Sequence, residues 1–113
     1  MRFYNIPVEE RSDGKSNPNS FLHLLKNFVT PEDFVVIKVD IDTPGAEVPI
    51  VKAIAEYPSL SNLVDEIFFE YHVYMDGLSF GWRDNTSDKD DVDDALKLMY
   101  KLRQLGIRSH FWI

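Results

Sequence analysis

The sequence predicts a three-layer α/β fold, a partial one with about four strands and three helices around a mostly parallel sheet. Two observations predict it. Two apolar, β-branched runs, at residues 34–41 and 64–73, each end in polar and acidic groups. Segments with helical spacing lie before, between and after them, so strand and helix alternate along the chain. Such alternation implies parallel neighbours joined by crossover helices.

The elements follow in order. Residues 3–8, FYNIPV, read as a short strand, which Pro7 confines to an edge or a strand end. Residues 9–19 hold Asp, Gly, Ser, Asn and Pro and read as a loop. Phe21, Leu24, Leu25 and Phe28 have the i, i+3, i+4, i+7 spacing of a short amphipathic helix. Ser20 stands at its N-cap and Thr30-Pro31 closes it. Residues 34–41 have the near-continuous apolar character of a strand covered on both faces.

A second helix follows Pro44-Gly45, with Ala46, Ile50, Ala53, Ile54 and Tyr57 on one side. Pro49 fits it only in the first turn, where a missing N–H costs little, and Pro58 stops it. Residues 64–73 form the next strand, and residues 74–87 a connection of a length that is often functional. In the last helix Ser87 and Asp90 suit a capping box, and Asp88, Asp90 and Asp91 load the positive end of the dipole. Val92, Ala95, Leu96, Met99 and Leu102 form its stripe, Lys97, Lys101 and Arg103 sit late, and Gly106 takes the C′ position. Residues 107–113 resume as a strand. No repeat divides the chain: residues 1–113 are one unit, with a strand and loop to residue 19 and the core from residue 20 onward.

Bulk composition narrows the function classes. At 113 residues there is room for one core, and 44% apolar residues make that core globular. The absence of cysteine removes disulfides, thiolate metal sites and cysteine nucleophiles together. A net charge of −7 argues against a nucleic-acid partner, which needs a basic face. No run approaches the roughly 18 apolar residues of a membrane span, and no signal-peptide pattern opens the chain. The expectation is a soluble, cytoplasmic, acidic domain with neither nucleic acid nor membrane as partner.

The informative stretch is VVIKVDIDTPGAE, a buried-looking strand that runs into Asp40, Asp42 and Glu47. Ligands of open parallel sheets bind outside the carboxyl ends of the strands. Asp40 and Asp42 follow one strand, and Glu70 and His72 end the next. Side chains repeat every two residues, so each pair shares a face, and neighbouring strands would bring both pairs to one crevice. Plainer readings stand beside this one. Asp42 and Thr43 suit a turn or a cap, Glu47 suits a first-turn acid, and His72 suits a satisfied strand end. His110 reads as structural, and the acids of residues 88–94 as a solvated helix start. Asp40 and Glu70 are harder to dismiss, because each interrupts or ends an apolar run.

Asp40-Ile41-Asp42-Thr43 also resembles the phosphoaspartate motif of haloacid-dehalogenase-type phosphatases, but its Thr comes one position early. The later acidic pairs, Asp90-Asp91 and Asp93-Asp94, open a helix where that family needs a strand end. That reading is set aside.

Three segments together carry a more specific resemblance: DFVVIKVDIDTPGAEVPIV, LVDEIFFEYH and LRQLGIRSHFWI. They resemble the FkbM-type class I methyltransferases, over roughly residues 33–113. That family shows an apolar strand, an Asp-Ile-Glu-Gly-Ala-Glu signature, a helix, and a strand ending in an acid and often His. Here the signature has Asp42 in place of Glu and two extra residues before Gly45. The resemblance implies a Rossmann-like sheet, of which this chain would be the C-terminal half, without the first two strands. It implies S-adenosylmethionine as cofactor, faced by Asp40 and Asp42, and a small-molecule or sugar acceptor methylated on oxygen. Glu70 and His72 would be catalytic, with His72 as base, and Tyr74, Trp82 and Arg83, with Phe80, would line the acceptor site. One family feature is missing: the five glycines, at 14, 45, 77, 81 and 106, include no G-x-G pair for the cofactor turn. The alternative is a non-catalytic remnant or interaction module with the same half-sheet. A half-sheet also has an unpaired edge, through which two copies would self-associate. A metal held by Asp40, Asp42 and Glu70 suits hard oxygen ligands, but the spacing matches no ligand signature, so none is assigned.

Overall fold

The structure, a computed structural model, describes residues 21–42, 44–72 and 92–112. The elements are α1 (Phe21–Phe28), β1 (Val36–Val39), α2 (Pro44–Glu56), α3 (Pro58–Ser61), β2 (Glu66–Phe69), α4 (Val92–Gln104) and β3 (Arg108–Phe111). The three strands form one parallel sheet in the order β1-β2-β3. Val39 pairs with Phe69 and Phe69 with Phe111, so β1 and β2 end level. The mixed α/β class and the parallel sheet are as the alternation predicts. The expected strand over residues 3–8 and the expected caps at Ser20 and Ser87 lie outside the described residues.

The strands are shorter than their apolar runs because side chains tie the ends. The Val35 N–H donates to the Asp65 carboxylate at 2.7 Å, and the Ile41 N–H donates to Glu47 at 2.6 Å. Among the described residues β1 is covered on one face only, against expectation, and the other face of β2, Glu66 and Phe68, is half-buried. Ile37, Val39, Ile67, Phe69 and Ser109 are buried, whereas Val36, Lys38, Arg108 and His110 on the opposite face are exposed. The buried residues of all four helices join the first set in one continuous core. Among the described residues, therefore, the three-layer expectation is met on one face only.

α2 is the most deeply packed helix, with Val51 and Ile54 fully buried. It starts at Pro44, so Pro49 lies in the second turn rather than the first. There it lacks the N–H that would reach the Gly45 carbonyl, and the helix absorbs one lost bond. The helix ends at Glu56, and Pro58 starts the short α3 as well as following the stop. Tyr57 adopts the extended backbone of an N-cap residue, which turns its ring out to solvent, contrary to its expected place in the stripe.

On α4 the buried stripe is Ala95, Leu98, Met99 and Leu102, and Val92 and Leu96 are half-exposed. The stripe is thus rotated from the expected one, since Leu98 rather than Leu96 faces the sheet. Gly106, with φ of 88°, ends the helix at C′ as expected. Its N–H donates to the Arg103 carbonyl and the Ile107 N–H to the Leu102 carbonyl, the paired bonds of a Schellman motif. Ile107 and Leu102 are both buried, which completes the motif's apolar contact and aims the chain into β3. On α1 only Leu25 is fully buried, and Phe28 is half-exposed.

Candidate functional site

Parallel pairing brings both acidic strand ends to one edge of the sheet. Glu70 follows Phe69 as Asp40 follows Val39, and the Glu70 N–H donates to the Val39 carbonyl at 3.1 Å. Asp40 and Glu70 are neighbours across this step, and each shifts the other's protonation. Asp40 is also bound to Lys38, whose ammonium lies 4.4 Å from the centre of the Trp112 ring.

Asp42 leaves this arrangement. It has a φ of 54°, in the left-handed region that Asp and Asn tolerate best among residues with a Cβ. The turn carries its carboxylate toward His72 instead of along the strand face, with Oδ1 at 3.9 Å from Nε2. Glu70 Oε2 lies 3.6 Å from the same nitrogen and Glu47 Oε2 4.0 Å from it. Glu70 therefore joins two groups, one around Asp40 and Lys38 and the other around His72.

Glu47 is the residue that sequence reasoning undervalued. A first-turn acid is normally a solvated partner of the helix dipole. Here the side chain is fully buried, and Oε1 accepts the Ile41 N–H just past β1. Oε2 is buried without a hydrogen bond among the described residues. The available signal was the apolar character of α2 on both sides of Glu47, which leaves an acid in its first turn little access to water.

The protonation of the edge follows from its contacts. The hydrogen bond from Lys38 holds the Asp40 carboxyl below its usual range, helped by hydrogen bonds with Glu70 and Trp112. Glu70 is pushed the other way, first by burial and then by its bond to Asp40, and the charges of Asp40 and Asp42 add to the effect. Where a proton is shared between these two carboxyls, it belongs on Glu70.

Of the predicted site residues, the structure brings together Asp40, Asp42, Glu70 and His72. Tyr74, Phe80, Trp82 and Arg83 lie outside the described residues. His110, expected as structural, stacks on Phe68, and its Nε2 meets Glu66 at 2.8 Å, across β3 and β2. The cluster of three carboxylates around one imidazole can exchange a proton, orient that ring, or hold a cation. No family model, curated protein or solved structure matches this chain.

No described helix is long and apolar enough to cross a membrane.

Proposed function

We propose that the chain is the acceptor-side part of an S-adenosylmethionine-dependent methyltransferase-like domain that methylates an oxygen of a small molecule or sugar. One observation carries this reading. Asp40, Asp42, Glu70 and His72, the residues that the FkbM resemblance singles out, meet at the carboxyl edge of β1 and β2. That edge is where open parallel sheets take their ligands.

The described residues fit part of the cofactor. Carboxylates suit its sulfonium and ammonium charges and its ribose hydroxyls, and in this reading Asp40 supplies one at the edge while Asp42, turned to His72, stands nearer the acceptor. No glycine-rich turn stands at this edge among the described residues: Gly45 lies inside α2, and Gly106 precedes β3 at the opposite edge. Binding here therefore rests on side chains. The cofactor, when bound, supplies an electrophilic methyl group.

In this reading His72 accepts the proton of the acceptor hydroxyl. Glu47 and Glu70 hold the imidazole in place and stabilise the cation that forms. A base so placed contributes about 10²–10⁴-fold to the rate. Alignment of donor and acceptor contributes through the acceptor loop.

Calorimetric titration of the folded chain with S-adenosylmethionine and S-adenosylhomocysteine, in the presence of a chelator, tests the reading. The expected result is saturable one-to-one binding, weakened about tenfold or more by Asp40→Ala, a loss of about 1.4 kcal/mol or more. His72→Ala leaves cofactor binding in place. A folded chain that binds neither compound overturns the reading and favours the interaction module.

A further inference from the structure

We propose that Asp42, Glu70 and His72, with the buried Glu47 beside His72, form a site for one divalent transition-metal ion of the Zn²⁺ or Mn²⁺ kind. Ligand atoms of Asp42, Glu70 and His72 all lie within 4.8 Å of one another. Around His72 Nε2 the three carboxylate oxygens stand at 3.6, 3.9 and 4.0 Å. Those separations are too long for N–H···O hydrogen bonds, which cluster at about 2.7–3.2 Å. They are the separations of ligands that share an ion: with metal–ligand bonds of about 2.0–2.2 Å, neighbouring donors lie about 3–4.2 Å apart.

Glu47 points to the ligand independently of the acidic cluster. Its side chain is fully buried, one oxygen is committed to the Ile41 N–H, and the other lies 4.0 Å from His72 Nε2 without a hydrogen bond among the described residues. An unpaired carboxylate oxygen inside a protein is costly, and a cation is the partner that removes the cost.

The donor set selects the metal. Imidazole nitrogen beside carboxylate oxygens suits Zn²⁺, Mn²⁺ or Fe²⁺, whereas Mg²⁺ and Ca²⁺ prefer oxygen alone. His72 supplies the nitrogen, a residue that a carboxylate-only set of Asp40, Asp42 and Glu70 leaves out. Asp40 stays with Lys38 and Trp112.

This site does not rest on the methyl-transfer reading. A metal on Nε2 excludes proton acceptance by that atom, so a loaded site would acidify an acceptor hydroxyl through its ion instead of His72.

The test is titration of the chelator-stripped chain with ZnCl₂, and separately with MgCl₂, followed by calorimetry. Co²⁺ provides a visible absorption signature of nitrogen–oxygen ligation. The expected result is one Zn²⁺ per chain, with Mg²⁺ weaker by about a hundredfold. Asp42→Asn, an exposed position where Asn keeps the backbone, and His72→Ala should each cost about tenfold or more in Zn²⁺ affinity. Circular dichroism shows whether each variant is folded. No saturable Zn²⁺ binding by the folded chain overturns the proposal. Binding unchanged in both variants overturns it too, since the ion would then sit elsewhere, as on His23 or His110. Mg²⁺ binding as tight as Zn²⁺ overturns the choice of metal class. Because S-adenosylhomocysteine is titrated under chelator and Zn²⁺ without nucleotide, either result can fail while the other stands.

Discussion

Asp42 shows how one backbone angle sets the chemistry of the site. An extended Asp42 would lie in line with Asp40; its φ of 54° sends it to His72 instead. For residues with a Cβ this region costs about 1–2 kcal/mol, and Asp and Asn offset part of that through local hydrogen bonding. The side chain is largely exposed, so substitution there leaves the core intact and reads the backbone angle together with the loss of the carboxylate facing His72. Asp42→Asn should leave stability within about 0.5 kcal/mol of the parent. Asp42→Val should be less stable than Asp42→Asn by about 1–2 kcal/mol in urea denaturation. Equal midpoints for the two variants would show that the turn carries no strain. Glu47 gives the complementary lesson. Its acidic character and its place in the first turn were plain in the sequence, but its burial depended on what packed around it.

Among the elements, α4 and its exit were the most legible. Gly106 was marked as the C′ residue by sequence, and the Schellman bonds bear this out. Nothing lies within 4 Å of the place a Cβ would take at Gly106. The cost of Gly106→Ala is therefore conformational, about 1 kcal/mol, without a clash to add to it. For a chain of this size that lowers the melting temperature by about 4–8 °C. A change under about 1 °C would show that the left-handed conformation is not required there. Beyond the cap, Ser109 Oγ donates to the Met99 carbonyl and Arg103 donates to the Ser109 carbonyl, locking β3 against α4. The stripe on α4 was legible only in part. Leu96 and Leu98 are equally apolar, and the contact with the sheet, not hydropathy, selected Leu98.

At the scale of the whole molecule, the described residues share one core under one face of the sheet. Ile67, in the central strand β2, is fully buried, and Val36 on the edge strand is about half exposed. Ile67→Ala should destabilise by about 2–5 kcal/mol, through lost burial and the cavity left behind. Val36→Ala should stay within about 0.5 kcal/mol. Comparable losses at both positions would mean that the second face is covered after all. On β1, among the described residues, the expectation of burial on both faces fails for a physical reason. Apolar runs such as VVIKV place Val36 and Ile37 on opposite faces, and hydropathy alone does not say which face the helices cover.

Local chemistry determined the sequence-level result. Periodicity, proline and glycine placement and alternation were enough for the α/β class, the parallel sheet, the ends of α1, α2 and α4 and the acidic strand ends, but not for the short α3. These features depend on neighbours a few residues away, and such neighbours are visible in a linear string. Tertiary structure alone decided the level pairing of β1 and β2, the burial of Glu47 and the turn of Asp42. Those depend on contacts between residues far apart in sequence: Asp42 and His72 meet because Val39 pairs with Phe69, and Glu47 is buried because α2 packs onto the core. A carboxylate's chemistry is set by its surroundings, and only the folded chain supplies them.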